Sequence, residues 1–239
     1  MRTVNLRGGF VDGAGALDLV FSGNAQLYAI VRLSLLVTLC ATAIAGLVGL
    51  ALGAAIALTR FPGRGAVVVT LNGFMGLPPV VVGLLIFLAL SRSGPLGNFG
   101  LLFTPAAMII AQAVLITPII AALTRQLIED LWVEYAEEFA AMGVQPWSRV
   151  TTLLWDARFS LVTILLAGFG RAAAEVGAVM IVGGNIDGFT RVMTTSIALE
   201  TSKGDLPLAL GLGLVLICVI MAVNVGAWSL RQWAERHAG

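Results

Sequence analysis

Charge is scarce in this chain. Of its 239 residues, 14 are basic and 13 acidic, while 59% are apolar and the mean hydropathy is +0.98. A soluble domain carries about 25% charged residues, more than twice the 11% found here. That shortage excludes an ordinary soluble fold and points to an integral membrane protein with little mass outside the bilayer. A net charge of +1 gives no basic surplus for nucleic acid. The single histidine, His237, lies in the C-terminal tail. Neither a histidine metal site nor a Ser-His-Asp or Cys-His set is therefore expected. The single lysine, Lys203, stands in "TSKGD" without the glycine run of a phosphate-binding loop, which excludes ATP hydrolysis by that route. Cys40 and Cys218 both fall in apolar runs and read as small buried hydrophobes. The chain is thus expected to be no enzyme and to hold no metal or cofactor of its own.

What is abundant is uninterrupted apolar sequence. Residues 33–59, 65–91, 93–124 and 206–230 contain no charged side chain, and Phe159–Ile186 contains only Arg171 and Glu175. Each run exceeds the roughly 20 residues that a helix needs to cross the hydrocarbon. The short alternating segments of a β-barrel are absent. The expectation is an all-α polytopic membrane protein with five transmembrane helices, at about 28–59, 65–91, 99–124, 159–183 and 206–230. It is read as one domain, 1–239, with a charged loop at 125–158. The first 25 residues show no short apolar core with a cleavage site. Phe10–Phe21 reads as an amphipathic surface segment, and Asn24 as a cap for the helix that follows.

Five spans place the termini on opposite sides. Arg60, Arg64, Arg125, Arg149, Arg158, Arg231 and Arg236 share one side; Arg2, Arg7, Arg92, Arg191 and Lys203 share the other. The basic excess puts the 125–158 side in the cytoplasm, with the N-terminus outside and the C-terminus inside. Helix breakers stand within the spans: Pro78 and Pro79 in the second, Pro105 and Pro118 in the third. They mark either ordinary kinks or helices that line a path and move. Gly49 and Gly53 form a GxxxG suited to close helix packing.

Nine of the charged side chains crowd into residues 125–158. Glu134, Glu137 and Glu138 with Ala140 and Ala141 favour a helix. Gly143 stands where a glycine would end it, and Pro146 suits the first turn of another. The pattern reads as a helix–turn–helix hairpin at the membrane surface. It is either a solvated loop or a docking surface. Ala140, Ala141, Met142, Val144 and Trp147 make an apolar knob rimmed by carboxylates, which fits a groove on a partner.

This stretch resembles the EAA loop of ABC-importer permeases, with Tyr135, Glu137, Gly143, Pro146 and Trp147 at the family spacing. Glu138-Phe139 stand where the family has Ala-Ala, and Asp156 replaces a proline. A second stretch, "GRAAAEVGAVMIVGGNIDGFTRVMTTSIALETSKGD" at 170–205, resembles the permeases for molybdate, tungstate and sulfate. The matching residues are Arg171, Glu175, Gly177, Ala178, Gly184, Asn185, Ile186, Gly188 and Thr190. "MTTSIALETSKGD" and the five-span length are most like the tungstate permeases.

The resemblance implies a type I importer permease acting as a homodimer. Its partners would be two separate ATPase subunits that carry ATP and Mg. A periplasmic or lipid-anchored oxyanion-binding protein would deliver substrate, in a prokaryotic cytoplasmic membrane. Tyr135, Glu137, Glu138, Ala140, Ala141, Met142, Gly143, Val144, Pro146 and Trp147 would then couple to the ATPase. Arg171 and Glu175 are expected on one helical face, either as a structural ion pair or beside an anion path. Asn185, Thr190, Thr194, Thr195 and Ser196 are either caps and turn residues or anion hydrogen-bonders. A secondary carrier working without an ATPase predicts an internal repeat and several intramembrane titratable groups. Neither is evident.

Overall fold

The computed structural model describes residues 25–237. Within them the chain is all-helical, with nine α-helices, one 3₁₀ turn and no strand. The surface segment expected at Phe10–Phe21 and the Asn24 cap lie outside the described residues.

The long apolar runs become two parallel pillars. Helix α1, Ala25–Leu58, buries Val37, Ala41, Ala45, Gly49 and Gly53 on one stripe. That stripe faces α4, Pro105–Ala141. Gly49 abuts Thr117 and Ile120, and Gly53 abuts Ala121 and Thr124, so both helices advance in the same direction. A Cβ on Gly53 would lie 2.5 Å from the Ala121 carbonyl oxygen and 2.7 Å from Thr124 Cβ. The GxxxG therefore sets the distance between the pillars. Gly53→Ala should destabilise the chain by about 1–3 kcal/mol through overpacking, read as a lower unfolding midpoint in detergent. Gly65→Ala, whose Cβ meets nothing within 4 Å, serves as the unaffected control.

Parallel neighbours require a crossing between them. It is supplied by α2, Arg64–Phe74, and α3, Pro79–Leu90, which meet at 102°. The run read as one span at 65–91 is therefore broken. Pro78 is extended, at ψ 120°, because a residue ahead of proline is barred from the helical region. Arg64 pairs with Glu129 near the far end of α4. At the other end of the pair, Phe87 packs on Phe103, just before Pro105, with ring centroids 6.0 Å apart. The bent pair thus traverses the fold from one end to the other. The third span starts later than the expected 99: Gly97–Phe99 is a 3₁₀ turn and Pro105 opens α4. Pro118, by contrast, sits inside an unbroken helix.

The hairpin expected at 125–158 is only half separate. Its acidic arm continues α4 to Ala141, and its second arm is α5, Pro146–Asp156. After a 70° bend the chain becomes α6, Arg158–Ala173, then α7, Gly177–Gly183. Together α6 and α7 run antiparallel to α4: Gly168 lies against Ile120, and Gly183 against Met108. Residues 159–183 are thus two helices, not a single one. At 16 residues α6 is about 24 Å long, short of a ~30 Å hydrocarbon core by itself.

The chain then folds back as α8, Met193–Lys203, and leaves through α9, Leu206–His237. Three helices are long and apolar enough to cross unaided, and the number rises to five when each of the bent pairs α2–α3 and α5–α6 is taken as one crossing. Cys40 and Cys218 are exposed rather than buried. They share the outer faces of α1 and α9 with Leu36, Leu47, Leu214 and Ile217. Such faces suit lipid, where apolar exposure carries no hydration cost.

Candidate functional site

Two structures carry the chemistry: the turn after α4 and the break between α6 and α7. At the turn, Gly143 adopts φ +60°. Its N–H donates to the Ala140 carbonyl at 3.3 Å, and the Val144 N–H donates to the Phe139 carbonyl at 3.2 Å. These are the two bonds of a Schellman motif, which absorb the orphan carbonyls of the helix end. Phe139 is buried and stacks on Tyr135, centroids 5.9 Å apart, so it roots the turn in the core. Val144 is half-buried and packs against the core beside it. Arg149 ties the turn by donating Nε–H to the Val144 carbonyl at 2.7 Å. Tyr135 donates its hydroxyl to Asp156 at 3.0 Å, which clamps α4 to the end of α5. Asp156, a departure from the family pattern, thus has a local partner.

What remains exposed is Glu137, Glu138, Ala140, Ala141, Met142 and Trp147, the last two at 66% and 75%. Pro146 begins α5 in its first turn. An exposed methionine and tryptophan beside two carboxylates, on a rigid turn, form a surface able to enter a groove.

At the break, Glu175 is not on the helix of Arg171. It follows the end of α6, and its carboxylate does two things. Oε2 accepts from Arg171 Nη1 at 2.8 Å, and Oε1 accepts the Ala178 N–H at 3.1 Å. The second bond caps α7, where an anion is favoured. Glu175 is 3% exposed and Arg171 36%. The glutamate is thus enclosed and the guanidinium has an open side.

Three threonine hydroxyls of the segment 184–196 are spent on nearby backbone. Gly184 and Asn185 take φ +70° and +50°, a left-handed pair that asparagine tolerates. Thr190 donates to the Gly183 carbonyl at 2.6 Å, and Thr194 to the Glu175 carbonyl at 2.8 Å. Thr195 accepts the Val192 N–H at 3.1 Å. These three threonines hold turns and caps in this conformation. The buried Asn185 Oδ1 and Ser196 Oγ have no partner within the described residues.

Some residues that matter here have no local sequence pattern. Ser34 of α1 accepts the Met193 N–H at 2.8 Å, anchoring the start of α8 across the fold. Gln112 donates to the Ala172 carbonyl at 3.0 Å just before the break. With Thr38 and Thr194 they line a small, partly open pocket. A second cluster, Arg64, Glu129 and Arg125, fastens the start of α2 to α4. The only sequence signal for Ser34 and Gln112 was a polar residue inside an uncharged run.

Fold and site together define a polytopic all-α membrane protein with a structured surface turn and a carboxylate-capped break. The chain is 41% identical to the tungstate uptake system permease protein TupB of Peptoclostridium acidaminophilum, over 91% of this chain and 95% of the relative. It is 38% identical to a probable anion ABC transporter permease protein of Haloferax volcanii, over 83% and 88%. To the TupB of Campylobacter jejuni it is 40% identical over 66% of each chain. No protein-family model matches the chain. The chain belongs to the ABC-transporter permease family, in the group of anion uptake permeases.

Proposed function

We propose that this chain is the membrane subunit of an ATP-driven importer for a tetrahedral oxyanion, with tungstate as substrate. The observation that carries the reading is its likeness, along nine-tenths of its length, to a permease named for tungstate uptake. The turn at Met142–Trp147 adds physical support: an exposed apolar knob, rigidly held and rimmed with carboxylates, is suited to transmit force from a partner. Two copies of the chain associate with two ATPase subunits, one at each turn. ATP and Mg are bound by those subunits. An external binding protein delivers the anion, and ATP binding swings the two permease halves. The chain lies in the prokaryotic cytoplasmic membrane with its N-terminus outside and the 125–158 turn inside, as the basic excess on that side favours.

The test is uptake into vesicles containing the chain with its ATPase and binding protein. Tungstate should accumulate only with ATP inside, and excess molybdate or sulfate should compete less well. Intact-complex mass measurement should give two permease copies. A monomer that moves the anion without ATP would sink the importer reading. Stronger competition by molybdate or sulfate would reassign the substrate within the oxyanions.

A further inference from the structure

We propose that Arg158 and the groove between α6 and α9 hold one anionic phospholipid, headgroup on the guanidinium and acyl chain in the groove. Arg158 stands at the 70° bend between α5 and α6, where the charged 125–158 stretch gives way to the apolar run that starts at Phe159. Its Nη1 donates to the Trp155 carbonyl at 2.7 Å. Its guanidinium carbon lies 4.8 Å from the Trp155 ring centroid and 4.5 Å from that of Phe159. Two aromatic faces and one hydrogen bond therefore fix a planar cation. No carboxylate among the described residues pairs with it, and the nearby Asp156 is engaged by Tyr135. A fixed arginine with open N–H groups matches a phosphate. Its place at a membrane boundary beside an exposed tryptophan is where headgroups lie.

The second observation is what lies one helical turn further along. Val162 and Leu166 of α6 and Val225, Ala227 and Trp228 of α9 line an open apolar groove. Its polar members are turned to their own helices: Thr163 donates to the Phe159 carbonyl and Asn224 to the Ile220 carbonyl. A cation at the head of an apolar groove has the order of charge and grease found in an anionic lipid. The groove runs between membrane-crossing helices, out of reach of a soluble partner such as an ATPase.

Native mass spectrometry of the full chain in detergent, with equimolar phosphatidylglycerol and phosphatidylcholine, tests this. Phosphatidylglycerol adducts should exceed phosphatidylcholine adducts about fivefold, the preference given by one basic side chain near an anionic headgroup. Arg158→Gln should bring the ratio near one, and Val225→Trp, which fills the groove, should lower retention of both lipids. Inorganic phosphate at constant ionic strength should leave the ratio unchanged. Equal adducts in the unaltered chain overturn the proposal, as does a ratio that survives Arg158→Gln. Displacement by free phosphate would make the site a phosphate site without a lipid tail. Loss of all adducts when the chain dimerises would assign the groove to a second copy.

Discussion

Gly143→Val leaves the chain inserted and folded but abolishes anion uptake in the proposed importer. Gly143 sits at φ +60°, and a Cβ there meets nothing within 4 Å. The penalty is therefore conformational rather than steric: about 1–2 kcal/mol for a left-handed L-residue, and more for a β-branched one. The backbone relieves it by leaving that region. The Gly143 and Val144 N–H bonds to Ala140 and Phe139 are then lost, and Met142 and Trp147 move relative to α4. Gly143→Asn is the control, since asparagine accepts this conformation; it should retain most uptake. Glu137→Arg reaches the same result by charge. Glu137 is exposed, so the fold is untouched. Losing a partner at a partly dried interface costs about 2–5 kcal/mol. Uptake measured beside ATPase co-purification decides the matter. Normal uptake with the ATPase still bound, in both Gly143→Val and Glu137→Arg, would show that the turn does not couple the subunits.

Whether a feature could be read in advance depended on how local its cause is. The crossings were legible because each is a run of apolar residues long enough to span, and Gly143 was legible because a helix end needs a left-handed residue. Proline was ambiguous. Pro78 and Pro79 break the second crossing because each bars the residue before it from the helical region, and two together cannot be absorbed. Pro118 alone forfeits one hydrogen bond inside a buried helix and α4 continues through it. Glu175 was misplaced for a similar reason. Four-residue spacing from Arg171 suggests one helical face, but the carboxylate is drawn to the Ala178 N–H and lets the helix stop. The threonines of 190–195 carried no sign of which carbonyl each hydroxyl would find. Ser34 and Met193 are 159 residues apart in sequence, and no periodicity connects them.

The break yields the second large effect. Arg171→Ala should reduce assembled chain more than any other single change there, because it strands the Glu175 carboxylate. That group is 3% exposed and would keep only the Ala178 N–H. Breaking a buried pair from one side costs about 3–5 kcal/mol, enough to exhaust much of a marginal stability. Glu175→Gln is milder. The amide oxygen still caps Ala178, and Arg171, 36% exposed, keeps an open side. The expected loss is one charge-assisted hydrogen bond, about 1.5–3 kcal/mol. Arg171→Ala combined with Glu175→Gln removes the stranded charge, so the double variant should accumulate and melt better than Arg171→Ala alone. That non-additivity is the signature of direct pairing. Membrane yield, unfolding midpoint in detergent and anion uptake should fall and recover together across the three variants. If instead Arg171→Ala accumulates and melts like the unaltered chain yet takes up no anion, the pair is not what holds the break. The open side of the guanidinium would then be serving the substrate.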